Sequence, residues 1–206
     1  MHPNPIFRNT ETNLSLDFAN EISFGTICIS AEPTPLLSHI PFQLNADRTA
    51  IDLHLVRSNP ISRALVKSPR QATLSIMGPH GYISPDWYGV EDQVPTWNYV
   101  AVHISGTLSL LDQSTLPNVI EGLSDHFETQ LAPKPVWKMD KVDPDVINKM
   151  QRQIVPCRLD IAQVESTWKL GQNKTDAVRH AAADQLEKST IGSNTPHLAA
   201  LMRSAK

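Results

Sequence analysis

The segment Arg57-Ser58-Asn59-Pro60 places a cation, a hydroxyl and an amide at the point where a predicted strand ends. Asn59 followed by Pro60 is typical of a helix N-cap and first position, and the free backbone N–H groups of a helix start attract anions. The guanidinium of Arg57 can hold a phosphate through two parallel hydrogen bonds. The segment therefore suggests an anion site, although an ordinary helix cap beside a solvent-facing arginine explains the same residues.

A second cluster is aromatic and lies in the stretch 78–99, which reads GPHGYISPDWYGVEDQVPTWNY. Its five large rings are Tyr82, Trp87, Tyr88, Trp97 and Tyr99. The glycines and prolines around them predict a loop. The rings can form a satellite core over one end of a barrel. They can equally wall a planar ligand, because pockets for such ligands combine aromatic faces with a few polar groups.

A third cluster, WKLGQN at 168–173, follows the last predicted strand. It offers one cation, Lys169, and two amides, Gln172 and Asn173. A binding segment is one interpretation, and a polar turn beside a core tryptophan is the other.

Other kinds of chemistry are poorly represented. The sequence lacks the GxSxG, GxxxxGK[ST], GxGxxG and HExxH patterns of common catalytic and nucleotide sites. Cys28 and Cys157 lie far apart and form no CxxC pair, so we expect neither a disulfide scaffold nor a cysteine-rich zinc site. No two histidines share an element at metal-ligand spacing, and we expect no metal.

Hydrophobic periodicity predicts the elements that must position these clusters. Strand-like runs of apolar residues occur at 26–30, 37–44, 50–56, 71–77, 99–111 and 155–161. Helical spacing occurs at 11–23, 60–67, 114–131 and 175–188, and more weakly after Pro196. Gly106 interrupts the strand at 99–111 and is typical of a β-bulge. Because strand and helix do not alternate strictly, the predicted fold is mainly β, an antiparallel barrel with helices outside it.

The composition limits the partners that the chain can have. Its 206 residues include 18 Lys plus Arg and 21 Asp plus Glu, which gives a formal net charge of −3. Proteins that coat nucleic acid need a basic excess, so we expect DNA binding to be weak. Residues 1–20 hold no apolar signal region, and no apolar run reaches the ~18 residues of a membrane span. We therefore expect a cytoplasmic protein without a membrane partner.

Several strings of the sequence together resemble one family. They are HIP at 39–41, RSNP at 57–60, GPHGYISPDWY at 78–88, VPTWNY at 94–99, VHISG at 102–106 and WKLGQN at 168–173. These strings are similar to those of the PaiB-type FMN-binding negative transcriptional regulators, and the similarity runs from Pro3 to about residue 187. The chain departs from the family at Gly171, where a serine is usual, and residues 189–206 have no clear counterpart.

The resemblance implies an antiparallel, FMN-binding split β-barrel related to the pyridoxamine-phosphate oxidases. It also implies a homodimer with FMN in a groove between the subunits. The residues that it suggests fall into four groups: Arg57, Ser58 and Asn59 for the phosphate; Trp97, Asn98 and Tyr99 for the ring; Lys169 and Gln172 as contacts from the other subunit; His39 and His54 as further candidates near the groove.

The expected organisation is one split-barrel domain over 1–188, followed by a tail over 189–206 that forms a short helix. Two functions stay open. The first is a flavin-binding regulator that acts through DNA or another protein, as the family resemblance implies. The second is an FMN-dependent oxidoreductase acting on a small substrate, because the same fold hosts both kinds of protein.

Overall fold

The computed structural model describes residues 1–205. Within them the helices are α1 Thr12–Ile22, α2 Pro60–Leu65, α3 Leu116–Thr129, α4 Pro144–Gln151, α5 Asp176–Leu186 and α6 Thr195–Ser204. The strands are β1 Phe24–Ile29, β2 Leu36–Leu44, β3 Ala50–Val56, β4 Arg70–Ile83, β5 Thr96–Leu110, β6 Ile154–Lys169 and β7 Gly192–Ser193. The predicted mainly β architecture with flanking helices is confirmed.

The strands form a single sheet in the order β1-β2-β3-β6-β5-β4-β7. An additional antiparallel pairing joins β1 to β4, which closes the first six strands into a ring. Closure satisfies the backbone groups that an open sheet leaves free at its edges. This topology confirms the predicted antiparallel barrel.

The chain divides into two compact units, and the second of them comprises residues 16–76 and 104–164. Its core is built by strict alternation: Ile51, Leu53 and Leu55 of β3 are fully or almost fully buried. Between them Asp52 and His54 point to the other face, as the period of a strand requires. The predicted strand at 50–56 is confirmed with the same bounds.

The first unit comprises residues 1–15, 77–103 and 165–206. Its helices α5 and α6 pack together, and Leu186, Leu198 and Met202 are completely buried. The guanidinium of Arg179 is buried beside them and donates hydrogen bonds to the carbonyl oxygens of Met202 and Ala205, at 2.7 Å each. This side chain therefore stabilises the end of α6 by satisfying its last carbonyl groups.

The prediction that the whole of 78–99 is a loop is wrong at both ends. Strand β4 continues through Ile83 and β5 begins at Thr96, so the connection is much shorter. Gly81 does not make a turn: a Cβ there would lie 2.7 Å from Leu186 Cδ1, and the residue pairs with Gly192 of β7. In this strand glycine permits close packing and does not end the element.

Candidate functional site

The segment after β3 forms the helix cap that its sequence predicts. Asn59 Oδ1 accepts a hydrogen bond of 2.8 Å from the backbone N–H of Ile61, and Pro60 is the first residue of α2. Asn59 Nδ2 donates to Ser38 Oγ at 3.1 Å, which ties the cap to β2. Ser58 is exposed beside it. Asn59 thus orients the segment through both ends of its amide, while Ser58 is open to a ligand.

Arg57 has structural contacts within the same unit. Its Nε donates to the carbonyl oxygen of Arg152 at 3.0 Å, and its Nη2 donates to Gln113 Oε1 at 3.0 Å and to the carbonyl oxygen of Ile154 at 3.3 Å. These bonds hold the guanidinium against the start of β6. These hydrogen bonds occupy Nε and Nη2 of Arg57. An anion bound here would therefore accept a hydrogen bond from the remaining nitrogen, Nη1, and would still be attracted by the positive charge of the guanidinium.

Two nitrogens of the second unit are buried and lack a hydrogen-bond partner within residues 1–205: His54 Nδ1 and Arg70 Nε. Burial lowers the pKa of His54 from its ordinary value, which favours the neutral ring. An unsatisfied buried nitrogen costs free energy and calls for an acceptor. Both nitrogens can donate a hydrogen bond, so they fit a ligand rich in acceptor oxygens such as FMN. His39, in contrast, is exposed and shares a 2.8 Å hydrogen bond with Thr26 Oγ1 across β1 and β2.

In the first unit, Trp97 is part of an exposed aromatic face. Its ring is 6.1 Å from that of His80 and 6.3 Å from that of Tyr82, and 45% of the residue is exposed. Tyr99 has the same strand parity as Trp97 and is half-buried. We call these four residues, His80, Tyr82, Trp97 and Tyr99, the aromatic face.

Asn98 lies on the opposite side of β5 and is 1% exposed. Its Nδ2 donates to Met202 Sδ at 3.4 Å, and sulfur is a weak acceptor. The structure therefore separates Asn98 from Trp97 and Tyr99, because successive residues of a strand point to opposite faces. Asn98 instead lines a cavity of about 190 Å³ together with Thr96 and Lys169.

Lys169 is the last residue of β6, and Gln172 lies in the turn that follows it. The amine of Lys169 donates a hydrogen bond to Thr96 Oγ1, and partial burial lowers the pKa of Lys169 below its ordinary value. Gln172 accepts from the N–H of Leu170 at 2.9 Å and donates to the carbonyl oxygen of Trp168 at 2.6 Å. Gln172 thus closes the turn, whereas Lys169 faces the cavity.

The cavity also contains Tyr88, one of the five rings that the sequence analysis selected as possible walls of a planar ligand. Phe7 and Lys174 line it too, and sequence reasoning did not select them; the Lys174 amine lies 5.3 Å from the centre of the Tyr88 ring. Phe7 is distant in the chain from the other lining residues, so no local motif indicates its place here. Gly171 also lines the cavity, with a φ of 85° that favours glycine.

Neither a metal centre nor a membrane span appears in the part of the chain that the structure describes. Residues 1–205 contain no group of three His, Cys, Asp or Glu side chains able to hold a metal ion. None of the helices in that range is long and apolar enough to cross a bilayer.

Burial raises the pKa of Cys157 to about 12, which makes its thiol unreactive near neutral pH.

The closed antiparallel ring with its flanking helices places the chain in the class of split β-barrel proteins. Two solved structures share this fold. The FAD and heme binding protein from Mycobacterium smegmatis is 16% identical and has a TM-score of 0.59; the match covers 80% of this chain and 74% of that protein's chain. The flavocytochrome Anf3 from Azotobacter vinelandii is 13% identical and has a TM-score of 0.56; the match covers 82% of this chain and 72% of that protein's chain.

Residues 1–163 match the family described as "Putative FMN-binding domain"; the chain belongs to this family, and FMN is its cofactor. Among its relatives is the "Protease synthase and sporulation protein PAI 2" of Bacillus subtilis, which is 29% identical over 198 residues, 95% of this chain and 93% of the relative. An uncharacterized protein of Aspergillus fumigatus is 25% identical over 82% of this chain and 83% of its own. The resemblance to PaiB-type proteins is confirmed.

Proposed function

We propose that the protein is an FMN-binding regulator that works as a homodimer. Its relative PAI 2 carries a name that refers to protease synthesis and sporulation, and that relative matches nearly the whole chain. The flavin, when bound, supplies an acceptor of one or two electrons. A redox-sensitive cofactor in a regulator can couple the state of the cell to a partner that the protein binds.

One observation carries the homodimer, and it is the aromatic face. Trp97 is 45% exposed, and its ring lies beside the rings of His80 and Tyr82. Ile191, whose carbonyl oxygen accepts a backbone hydrogen bond from Tyr82, is also exposed. Exposed apolar groups that lie together mark sites of association. A second copy of the chain is the partner we propose, because two-fold homodimers are the commonest oligomers.

For the cofactor, we propose that Arg57, Ser58 and Asn59 hold the FMN phosphate. The exposed hydroxyl of Ser58 supports this assignment, as does the unsatisfied Nδ1 of His54 in the same unit. The ring contacts expected from sequence stay predictions. Of those, Trp97 and Tyr99 present their rings on the aromatic face, and Asn98 lines the cavity. Lys169, predicted as a contact from the other subunit, presents its amine in the same cavity.

Light scattering of the purified protein tests the homodimer. We expect twice the chain mass of 22.9 kDa, with the absorbance of FMN at the same elution position. Trp97→Arg places a charge in the aromatic face and should produce a monomer. Val66→Arg, at an apolar residue of the second unit that is 75% exposed, is the matched control and should remain dimeric. A wild-type monomer that still carries FMN would contradict the proposal.

The alternative is an FMN-dependent oxidoreductase, and the cavity beside Lys169 favours it because enzymes bind small substrates in pockets of this kind. Titration of the FMN-loaded protein with NADH or NADPH in the absence of air separates the two functions. Rapid bleaching of the flavin absorbance, followed by many turnovers with an added acceptor, would favour the enzyme. Slow reduction that changes partner binding would favour the regulator.

A further inference from the structure

The cavity of the first unit contains two lysine amines that have no carboxylate partner. Lys169 donates to the hydroxyl of Thr96, and Lys174 donates to Gln93 Oε1 at 2.5 Å while lying over the ring of Tyr88. Within residues 1–205 neither amine is in an ion pair. Asp92 also lines the cavity, but it is exposed.

Partial burial makes these unpaired charges costly. A lysine amine that is buried without an anionic partner loses part of its hydration free energy. A hydrogen bond to a neutral hydroxyl compensates only part of that loss. Burial accordingly lowers the pKa of Lys169 below its ordinary value, because desolvation disfavours the charged amine. An anionic ligand would compensate both amines at once, since each has N–H donors beyond the single hydrogen bond described above.

The remaining lining indicates what else the ligand contains. Asn98 is almost completely buried, and the one described bond of its NH₂ group goes to a weak sulfur acceptor, so the amide can donate a second bond. Phe7 and Tyr88 add buried aromatic surface. The volume of about 190 Å³ holds roughly six water molecules and lies below the ~300–1,000 Å³ of pockets for drug-sized ligands.

We propose that this cavity binds a small organic acid, with its carboxylate between Lys169 and Lys174 and its carbon body against Phe7 and Tyr88. The site is distinct from the aromatic face, because Thr96 and Asn98 point away from Trp97 and Tyr99 across β5. It is complete within one unit of a single chain, and it does not depend on the proposed regulatory function.

Calorimetry on the FMN-loaded full-length protein tests the proposal with benzoate as the probe. We expect saturable binding with a Kd of about 1 mM or tighter. Benzamide has nearly the same shape without the charge and should bind about tenfold more weakly or not at all. Inorganic phosphate is the third probe. If it binds as tightly as benzoate, the cavity takes simple anions and the organic-acid proposal is wrong.

Variants place the binding at the two lysines. Lys169→Met and Lys174→Met should each weaken benzoate about tenfold or more, because each removes a charge-assisted hydrogen bond. Lys188→Met, at an exposed lysine of the same unit, is the control and should change nothing. Circular dichroism reports folding, and Lys174→Met decides the question if Lys169→Met does not fold.

Three results overturn the proposal. The first is the absence of saturable benzoate binding. The second is a loss of benzoate affinity in Lys188→Met as large as in the Lys169 and Lys174 variants. The third is displacement of benzoate by FMN that is added to protein prepared without the cofactor. Displacement would assign the cavity to the flavin, and the proposed regulator and its homodimer would stand unaffected. A monomeric protein that still binds benzoate through Lys169 would instead contradict the homodimer and leave this inference intact.

Discussion

At the scale of single residues, Arg57 combines a structural role with the proposed phosphate contact, and the two are separable. Arg57→Ala removes both the charge and the hydrogen bond to Gln113, whereas Gln113→Ala removes that hydrogen bond and keeps the cation. Riboflavin lacks the phosphate of FMN. We expect Arg57→Ala to weaken FMN relative to riboflavin by roughly 1.5–3 kcal/mol, the contribution of a charged hydrogen bond.

Fluorescence quenching on titration with FMN and with riboflavin measures the two affinities. In Gln113→Ala the two ligands should lose affinity equally, because this change affects only how the segment is held. Equal losses in Arg57→Ala as well would show that Arg57 acts through the fold and does not contact the phosphate.

At the scale of elements, Gly106 explains how β5 and β6 approach each other. A Cβ at this position would lie 1.8 Å from the carbonyl oxygen of Asp160, a distance that only movement of the backbone can relieve. Strand β5 runs unbroken through this glycine, so close approach and not an interruption accounts for it. We expect Gly106→Ala to lower the free energy of unfolding by about 3 kcal/mol or more.

Gly122 in α3 is the matched control for that prediction. A Cβ there would meet the end of the flexible Gln43 side chain, which can turn away, and alanine is the better helix former by about 1 kcal/mol. The free energy of unfolding of Gly122→Ala, measured by urea denaturation, should therefore stay within about 1 kcal/mol of the wild type. If Gly106→Ala were equally mild, the close packing of β5 on β6 would be refuted.

At the scale of the whole molecule, charge limits binding to DNA. The net charge is −3, and the basic residues around α2 leave Arg63 and Lys67 exposed while Arg70 is half-buried. For each phosphate contact, the binding constant falls with about the 0.9 power of the salt concentration. A protein with only a handful of such contacts therefore binds DNA weakly at physiological salt. We expect at most weak, salt-sensitive and sequence-independent binding near physiological ionic strength.

A salt titration on promoter fragments and on random duplex measures this binding, with FMN present and removed. Arg63→Gln with Lys67→Gln should reduce the salt slope, whereas Lys149→Gln, at an exposed lysine of α4, should not. Nanomolar binding to one fragment, with random duplex far weaker at the same salt, would contradict the prediction and favour direct repression.

The sequence by itself determined most of the elements, though not the bounds of β4 and β5, and it determined the class of protein. The period of two in 50–56 and the Asn59-Pro60 cap depend on near neighbours in the chain, and both appear in the structure as predicted. Long specific strings such as GPHGYISPDWY carried the resemblance to an FMN-binding family, to which the chain belongs. Such signals are local, so they can be interpreted without knowing how the chain folds.

Tertiary structure decided which candidate residues share a face and which are already hydrogen-bonded to other parts of the protein. Trp97, Asn98 and Tyr99 are consecutive in sequence, yet the pleat of β5 sends Asn98 to a cavity and the two rings to the aromatic face. Arg57 is held by residues about 55 and 95 positions away, and Gly81 lies where another strand must pack. Lys169 shares one cavity with Lys174 and Phe7 only because β6, the turn after it and the N-terminal segment converge there. Contacts between distant segments leave no period in the sequence.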